Sequence, residues 1–150
     1  MVTEVKQVIV GVDGSAGGRA ALRLGADEAE RRGAVLRPVL AFAPPEGEGM
    51  ERRWPSPPAY RRIWVEAAEF RLAQACEQAL ADDFPGLVVE PEVIRGEPGD
   101  VLVDCATADH AMLVVGTGAR KPAWLHRHPV RRHCLKHATC PVLVAPAEEV

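Results

Sequence analysis

The chain has 150 residues, 47% apolar, 26% charged and only 5% aromatic, with a formal net charge of −3. That length suits one domain spanning 1–150, with a core built mainly of Val, Leu, Ile and Ala. No apolar run approaches the roughly 18 residues of a membrane helix, and the first residues lack a basic stretch followed by a signal-type core, so a cytoplasmic protein off the membrane is expected. The four cysteines (Cys76, Cys105, Cys134, Cys140) lack CxxC spacing and read as reduced, buried thiols.

In chain order, VIVGV (8–12) is a short buried strand ending in Asp13-Gly14-Ser15. Ser15 can cap a helix through about Arg32, with Ala20, Ala21, Leu24 and Ala29 on its apolar face and Gly33 stopping it. VLRPVLAF (35–42) is a second strand, in which Pro38 predicts a bulge or a missing ladder bond. Residues 44–58, rich in proline and glycine, read as one long loop. Tyr60 to Ala81 is a long amphipathic helix with an expected core stripe of Ile63, Ala67, Phe70, Leu72, Ala75 and Leu80. LVVEPEVI (87–94) is the third strand. Pro98 opens a helix to about Ala108, MLVVG (112–116) is the fourth strand, a helix runs from about Pro129 to His137, and PVLVA (141–145) is the fifth strand.

Strands alternating with helices, and apolar throughout, predict an α/β fold with a parallel sheet covered on both faces. Right-handed crossovers favour the flavodoxin-like order 3-2-1-4-5. Strands one and four are then neighbours at the switch point, where such sheets bind ligands. Their carboxyl ends carry Asp13 and Gly116.

Charge is unevenly placed. No Asp or Glu lies between Asp109 and Glu148, whereas this interval holds Arg120, Lys121, Arg127, Arg131, Arg132, Lys136 and all five histidines, four of them (His126, His128, His133, His137) within 120–137. The rest of the chain has 12 basic against 21 acidic residues, a balance of −9. A small anionic ligand near the basic 120–137 segment is one reading, and a solvated helix face is the other. Stacking aromatics are scarce there, which argues against nucleic acid. His133 and His137 share a helical face, but one face supplies only two metal ligands, so no metal site is expected. No nucleophile–base pair is visible, and no catalytic residue is assigned.

Three segments, IVGVDGS, RGEPGDVLVDCATADHAMLVVGTG and HATCPVLVAP, together resemble the universal stress protein family from about Lys6 to Pro146. The resemblance implies a five-stranded parallel domain of the adenine-nucleotide-hydrolase-like kind and usually a homodimer, in many members through antiparallel pairing of the last strand. Here that strand would present Val142, Leu143 and Val144, an apolar edge if left alone.

Nucleotide-binding members carry G-x2-G-x9-G-[ST] at this loop, an aspartate after the first strand, and backbone contacts to the base from the second. The resemblance places Asp13 at the aspartate, Ala41 and Phe42 at the base, and Gly116, Thr117 and Gly118 at the start of the loop, shortened by one residue. Arg120, Lys121 and Arg127 follow. The closing pair is His128-Pro129, then Val130. His128 brings a bulky side chain where glycine would let phosphate approach, and Pro129 has neither N–H nor hydroxyl. Losing two donors at roughly 1 kcal/mol or more each weakens a tight grip on ATP. The expectation is a non-enzymatic, dimeric stress-response module with a degenerate nucleotide loop. The alternatives are a sensor of ATP, ADP or AMP (with Mg if ATP) or a slow ATPase in the same crevice, and a reader of another anion.

Overall fold

The computed structural model describes residues 4–13, 16–117 and 129–146. Among these, β1 (Gln7–Gly11), β2 (Val35–Phe42), β3 (Glu92–Arg95), β4 (Ala111–Val115) and β5 (Val142–Val144) form one sheet in the order β3-β2-β1-β4-β5. All four pairings are parallel. This is the doubly wound order expected from the alternation of elements.

Helices α1 (Ala16–Arg32) and α3 (Ala59–Leu80) cover one face; α4 (Pro98–Cys105) and α5 (Pro129–His137) cover the other. The side-chain period of two divides each strand between these faces. Val8 and Val10 of β1 point into the core under α1 and α3, and Ile9 into the core under α4 and α5. Small residues let the first layer close up. Ala21, Ala26 and Ala29 of α1 and Ala68, Ala75 and Ala79 of α3 are all buried in it. Gly25 faces the sheet so closely that an added Cβ would collide with the Val10 side chain.

Helix ends follow local chemistry. Gly33 has φ +63°, and its N–H and that of Ala34 bond back to Glu30 and Ala29 carbonyls at 3.3 and 2.8 Å, a Schellman stop. At the end of α3, Arg23 of α1 donates to the Ala79 carbonyl at 2.8 Å and pairs with Asp83 at 3.1 Å. Pro98 starts α4, where its missing N–H costs no helical bond. The expected cap by Ser15 lies outside the described residues.

Three expectations are corrected. First, the 44–58 segment is not all loop: α2 (Glu48–Arg53) forms inside it. Glu51 accepts hydrogen bonds from the Ser56 amide and hydroxyl, both at 2.8 Å. Second, the α3 core stripe is displaced. Leu72, Ala75 and Leu80 are buried as expected, but Ala68 and Ala79 complete the face, while Ile63, Ala67 and Phe70 are exposed.

Third, of the two readings of Pro38 the bulge fails and the missing ladder bond holds. The β1–β2 register runs unbroken from Gln7↔Val35 to Gly11↔Val39. On the other side, Leu36 bridges Val89 and Val39 pairs with Glu92, the same offset, which sets Pro38 level with Pro91. In a parallel ladder, successive residues direct their N–H and C=O to alternate sides. Leu36 bonds toward β3, donating to the Val88 carbonyl and accepting from the Glu90 amide, so the amide that Pro38 lacks also faces β3. The ladder is broken there, and β3 proper starts only at Glu92 rather than at Leu87.

Two outcomes follow from this packing. Gly25→Ala should destabilise the fold by about 1–3 kcal/mol in urea unfolding, because overpacking outweighs the better helix propensity of alanine. Cys134 is wholly buried, and desolvation, with Cys140 adding to it, pushes its thiol pKa up to about 11. At pH 8 only about one such thiol in a thousand is thiolate. Iodoacetamide should therefore spare Cys134 in the native protein and label it after denaturation, as peptide mass mapping would reveal.

Candidate functional site

The crevice forms where β1 and β4 end side by side. The two strands pair from Gln7↔Ala111 to Val10↔Val114. Past β1, the Val12 amide makes one more bond, to the Val39 carbonyl at 2.9 Å, and the chain then turns at exposed Asp13 toward α1. Past β4, the Val115 carbonyl accepts from the Ala145 amide at 2.8 Å, and half-buried Gly116 and Thr117 follow. With α1 on one face of the sheet and α5 on the other, the ends of β1 and β4 form the switch point at which an open α/β sheet offers a crevice.

Thr117 is the unusual group at this gap. Its Oγ1 is buried and has no hydrogen-bond partner among the described residues. A buried hydroxyl without a partner costs about 1–3 kcal/mol, so its natural use is to meet a polar ligand atom.

Ala41 and Phe42 are not equivalent. Phe42 is buried under α3, and its carbonyl accepts the Gly96 amide at 2.9 Å. Its polar backbone therefore faces β3, away from the switch point. By the alternation of the ladder, the N–H and C=O of Ala41 face the β1 side, beyond the Val12 amide that makes the last bond between these strands. Of the two, Ala41 is the residue whose backbone is directed to the crevice.

The remaining expected residues divide by position. Gly118, Arg120, Lys121, Arg127 and His128 lie outside the described residues. Pro129 begins α5. Val130 is half-buried against the core under α4 and α5. Arg131 is half-buried and Arg132 exposed on the same helix.

An ion pair without a sequence signature lies at the same end of the sheet. Arg95, at the carboxyl end of β3, holds Glu48 of α2 at 2.6 Å, and its guanidinium lies 5.7 Å from the Trp64 ring. The hydrogen bond from Arg95 keeps the Glu48 carboxyl below the usual carboxylate range, the more so with Arg52 and Arg61 nearby. Glu48 is only half-buried, with much of its side chain in solvent, so this pair orients α2 more than it stabilises the fold. The segment after β2 is thus tied to the same end of the sheet as the crevice. No local pattern pairs Glu48 with a residue 47 positions later; only the parallel register brings them together.

At α5, His133 Nε2 lies 3.0 Å from Asp100 Oδ1, and the His133 and His137 rings are 4.6 Å apart. Among the described residues no three His, Cys, Asp or Glu side chains converge as a metal set. Cys140 is half-buried against the core under α4 and α5. No helix among the described residues is long and apolar enough to cross a membrane.

Comparison with known proteins agrees with this architecture. The fold superposes on the universal stress protein UspA from Lactobacillus plantarum with a TM-score of 0.68, at 19% identity over 96% of this chain and 99% of that one. It also matches the universal stress protein from Archaeoglobus fulgidus in complex with dAMP, with a TM-score of 0.56 and 20% identity over 94% and 98% of the two chains. A universal stress protein family protein from Arabidopsis thaliana with AMP bound gives 0.53 and 19%, over 95% and 92%. At such identities the likeness establishes the fold alone. No curated protein matches the chain. The family model for the Universal stress protein family, however, matches residues 4–146, nearly the whole sequence, and the chain belongs to that family.

Proposed function

We propose that this protein is a non-enzymatic stress-response module that binds an adenine nucleotide, a monophosphate in preference to ATP, in the crevice at the ends of β1, β2 and β4. The observation that carries the reading is the buried, unpartnered Thr117 hydroxyl at that crevice. Asp13, at the end of β1, and the backbone of Ala41 are the groups for the nucleoside. Gly116 allows close approach beside Thr117. Related proteins solved with dAMP and AMP support the ligand class.

Selectivity for the monophosphate comes from what stands where the loop closes. His128-Pro129 removes small-residue access, an amide and a hydroxyl from the place where distal phosphates and their magnesium would be held. Arg120, Lys121 and Arg127 supply charge without that geometry. A nucleotide held by its nucleoside end, with no fixed cradle for a leaving phosphate, is bound rather than turned over. The module acts as a dimer through β5, whose Val142, Leu143 and Val144 are half-buried in one protomer and gain cover in a two-fold pairing.

Calorimetry with AMP and with ATP–Mg tests the ligand assignment. AMP should bind, and ATP–Mg should bind no more tightly. His128→Gly with Pro129→Ser should strengthen ATP binding at least tenfold and leave AMP nearly unchanged. An absence of heat with either nucleotide at millimolar concentration would overturn the assignment. Thr117→Val keeps the shape and removes the hydroxyl. It should raise the stability of the ligand-free protein by about 1 kcal/mol in urea unfolding, while weakening AMP about five- to tenfold.

A further inference from the structure

Helix α3 carries apolar side chains on two separate faces. One face, with Ala68, Leu72, Ala75 and Ala79, is buried against the sheet and α1. The other holds Tyr60, Ile63 and Phe70, which are 48%, 56% and 68% exposed, with exposed Ala67 between them. At 100° per residue, the centres of the two faces lie about 140° apart. The outer set is therefore not the margin of the buried one.

Spacing in the outer set is 3, 4, 3: Tyr60, Ile63, Ala67, Phe70. That is the a/d seam of a two-helix coil, with Tyr60 and Ala67 at a, and Ile63 and Phe70 at d. The flanking positions carry opposite charges. Glu66 stands at g and Arg71 at e, both exposed. In a parallel pair, g of one helix meets the e position five residues later on the other. Glu66 then faces Arg71 of the second copy, and two-fold symmetry makes the pair twice. An antiparallel pair would instead set the Glu66 flank against itself. With roughly 200 Å² for a large side chain, the three exposures amount to on the order of 350 Å². A standard interface buries about 800 Å² per side, a little over half of it apolar. The seam supplies most of that apolar share.

We infer that α3 is a self-association surface: two copies of this chain pack their α3 helices side by side and parallel about a two-fold axis, with Tyr60, Ile63, Ala67 and Phe70 as the seam and Glu66–Arg71 as its cross-chain ion pairs. This interface stands independently of the nucleotide reading and of any pairing through β5.

Sedimentation velocity over a concentration series is the test. Wild-type protein should show an association step that Ile63→Glu with Phe70→Glu abolishes, with the circular dichroism spectrum unchanged because both positions are outside the core. Glu66→Arg alone should weaken the step on the order of tenfold, by turning two attractions into repulsions. The double swap Glu66→Arg, Arg71→Glu should restore it. Ala67→Cys, on the axis, should give an oxidised two-chain band on a denaturing gel that the unsubstituted protein does not give. Assembly through β5 alone would not produce that band. An association step unaffected by the two glutamates, a double swap no better than the single one, or a wild type with no step at all would overturn the inference.

Discussion

Strand β1 bonds to β2 on one side and β4 on the other, and meets helices on both faces, so Val8, Ile9 and Val10 lose all contact with water. Such a strand must be apolar at every position, which its VIV sequence satisfies. It must also be short, because every residue added at its carboxyl end needs matching length in both neighbours. β1 gives out at Gly11, with one further bond from Val12, while β2 continues to Phe42. The difference in length leaves Ala41 beyond the last bond to β1, at the end of the sheet where β1 and β4 finish side by side. The crevice is a direct result of how the central strand ends.

Layer thickness is the second constraint. α1 and α3 close over the sheet largely on alanines and one glycine, with Leu22, Leu72 and Leu80 among them, so their backbones come near β1. Bulk on these faces would hold the helices away from the strands and uncover Leu36 and Leu40. This explains why α3 turns its small residues inward and leaves Ile63 and Phe70 outside. The hydrophobic effect alone would favour burying the larger side chains, yet Ala68, Ala75 and Ala79 take three of the five buried places on α3, beside Leu72 and Leu80.

That choice marks the limit of what sequence could reveal. Four strands are legible because runs such as VIV, VLAF and MLVV are apolar throughout, whereas β3 starts at Glu92 and not at Leu87; helix ends are legible because Gly33 and Pro98 have one economical use. α3 was ambiguous because its apolar residues satisfy helical spacing on two faces, and only packing against α1 selects between them. Helix α2 was hidden by the prolines and glycines around it; its last turn is closed by Glu51 reaching forward to Ser56, a contact without a sequence signature. At the crevice, Asp13 and Gly116 follow from the end points of strands, and Thr117 from the resemblance of its loop. The difference between Ala41 and Phe42 depends on ladder parity, which is fixed only when the register with β1 and β3 is known. The partnering of Glu48 with Arg95 and of His133 with Asp100 joins residues distant in sequence, and no periodicity foretells it.

The level pair of Pro38 and Pro91 has an effect on how the sheet meets other polypeptides. Glu90 bonds inward to Leu36, so by alternation the amide missing at Pro91 belongs to the outer rim of β3. The neighbouring Glu90 and Glu92 are exposed and acidic there. An extended segment approaching this rim meets a gap in the donors and a run of negative charge, both of which oppose strand addition. The sheet therefore has a blunt side at β3 and a plain, valine-rich side at β5. In a partly unfolded or concentrated solution, fibrillar growth would be blocked from the first side, and any strand-to-strand aggregation of this protein would have to be one-sided.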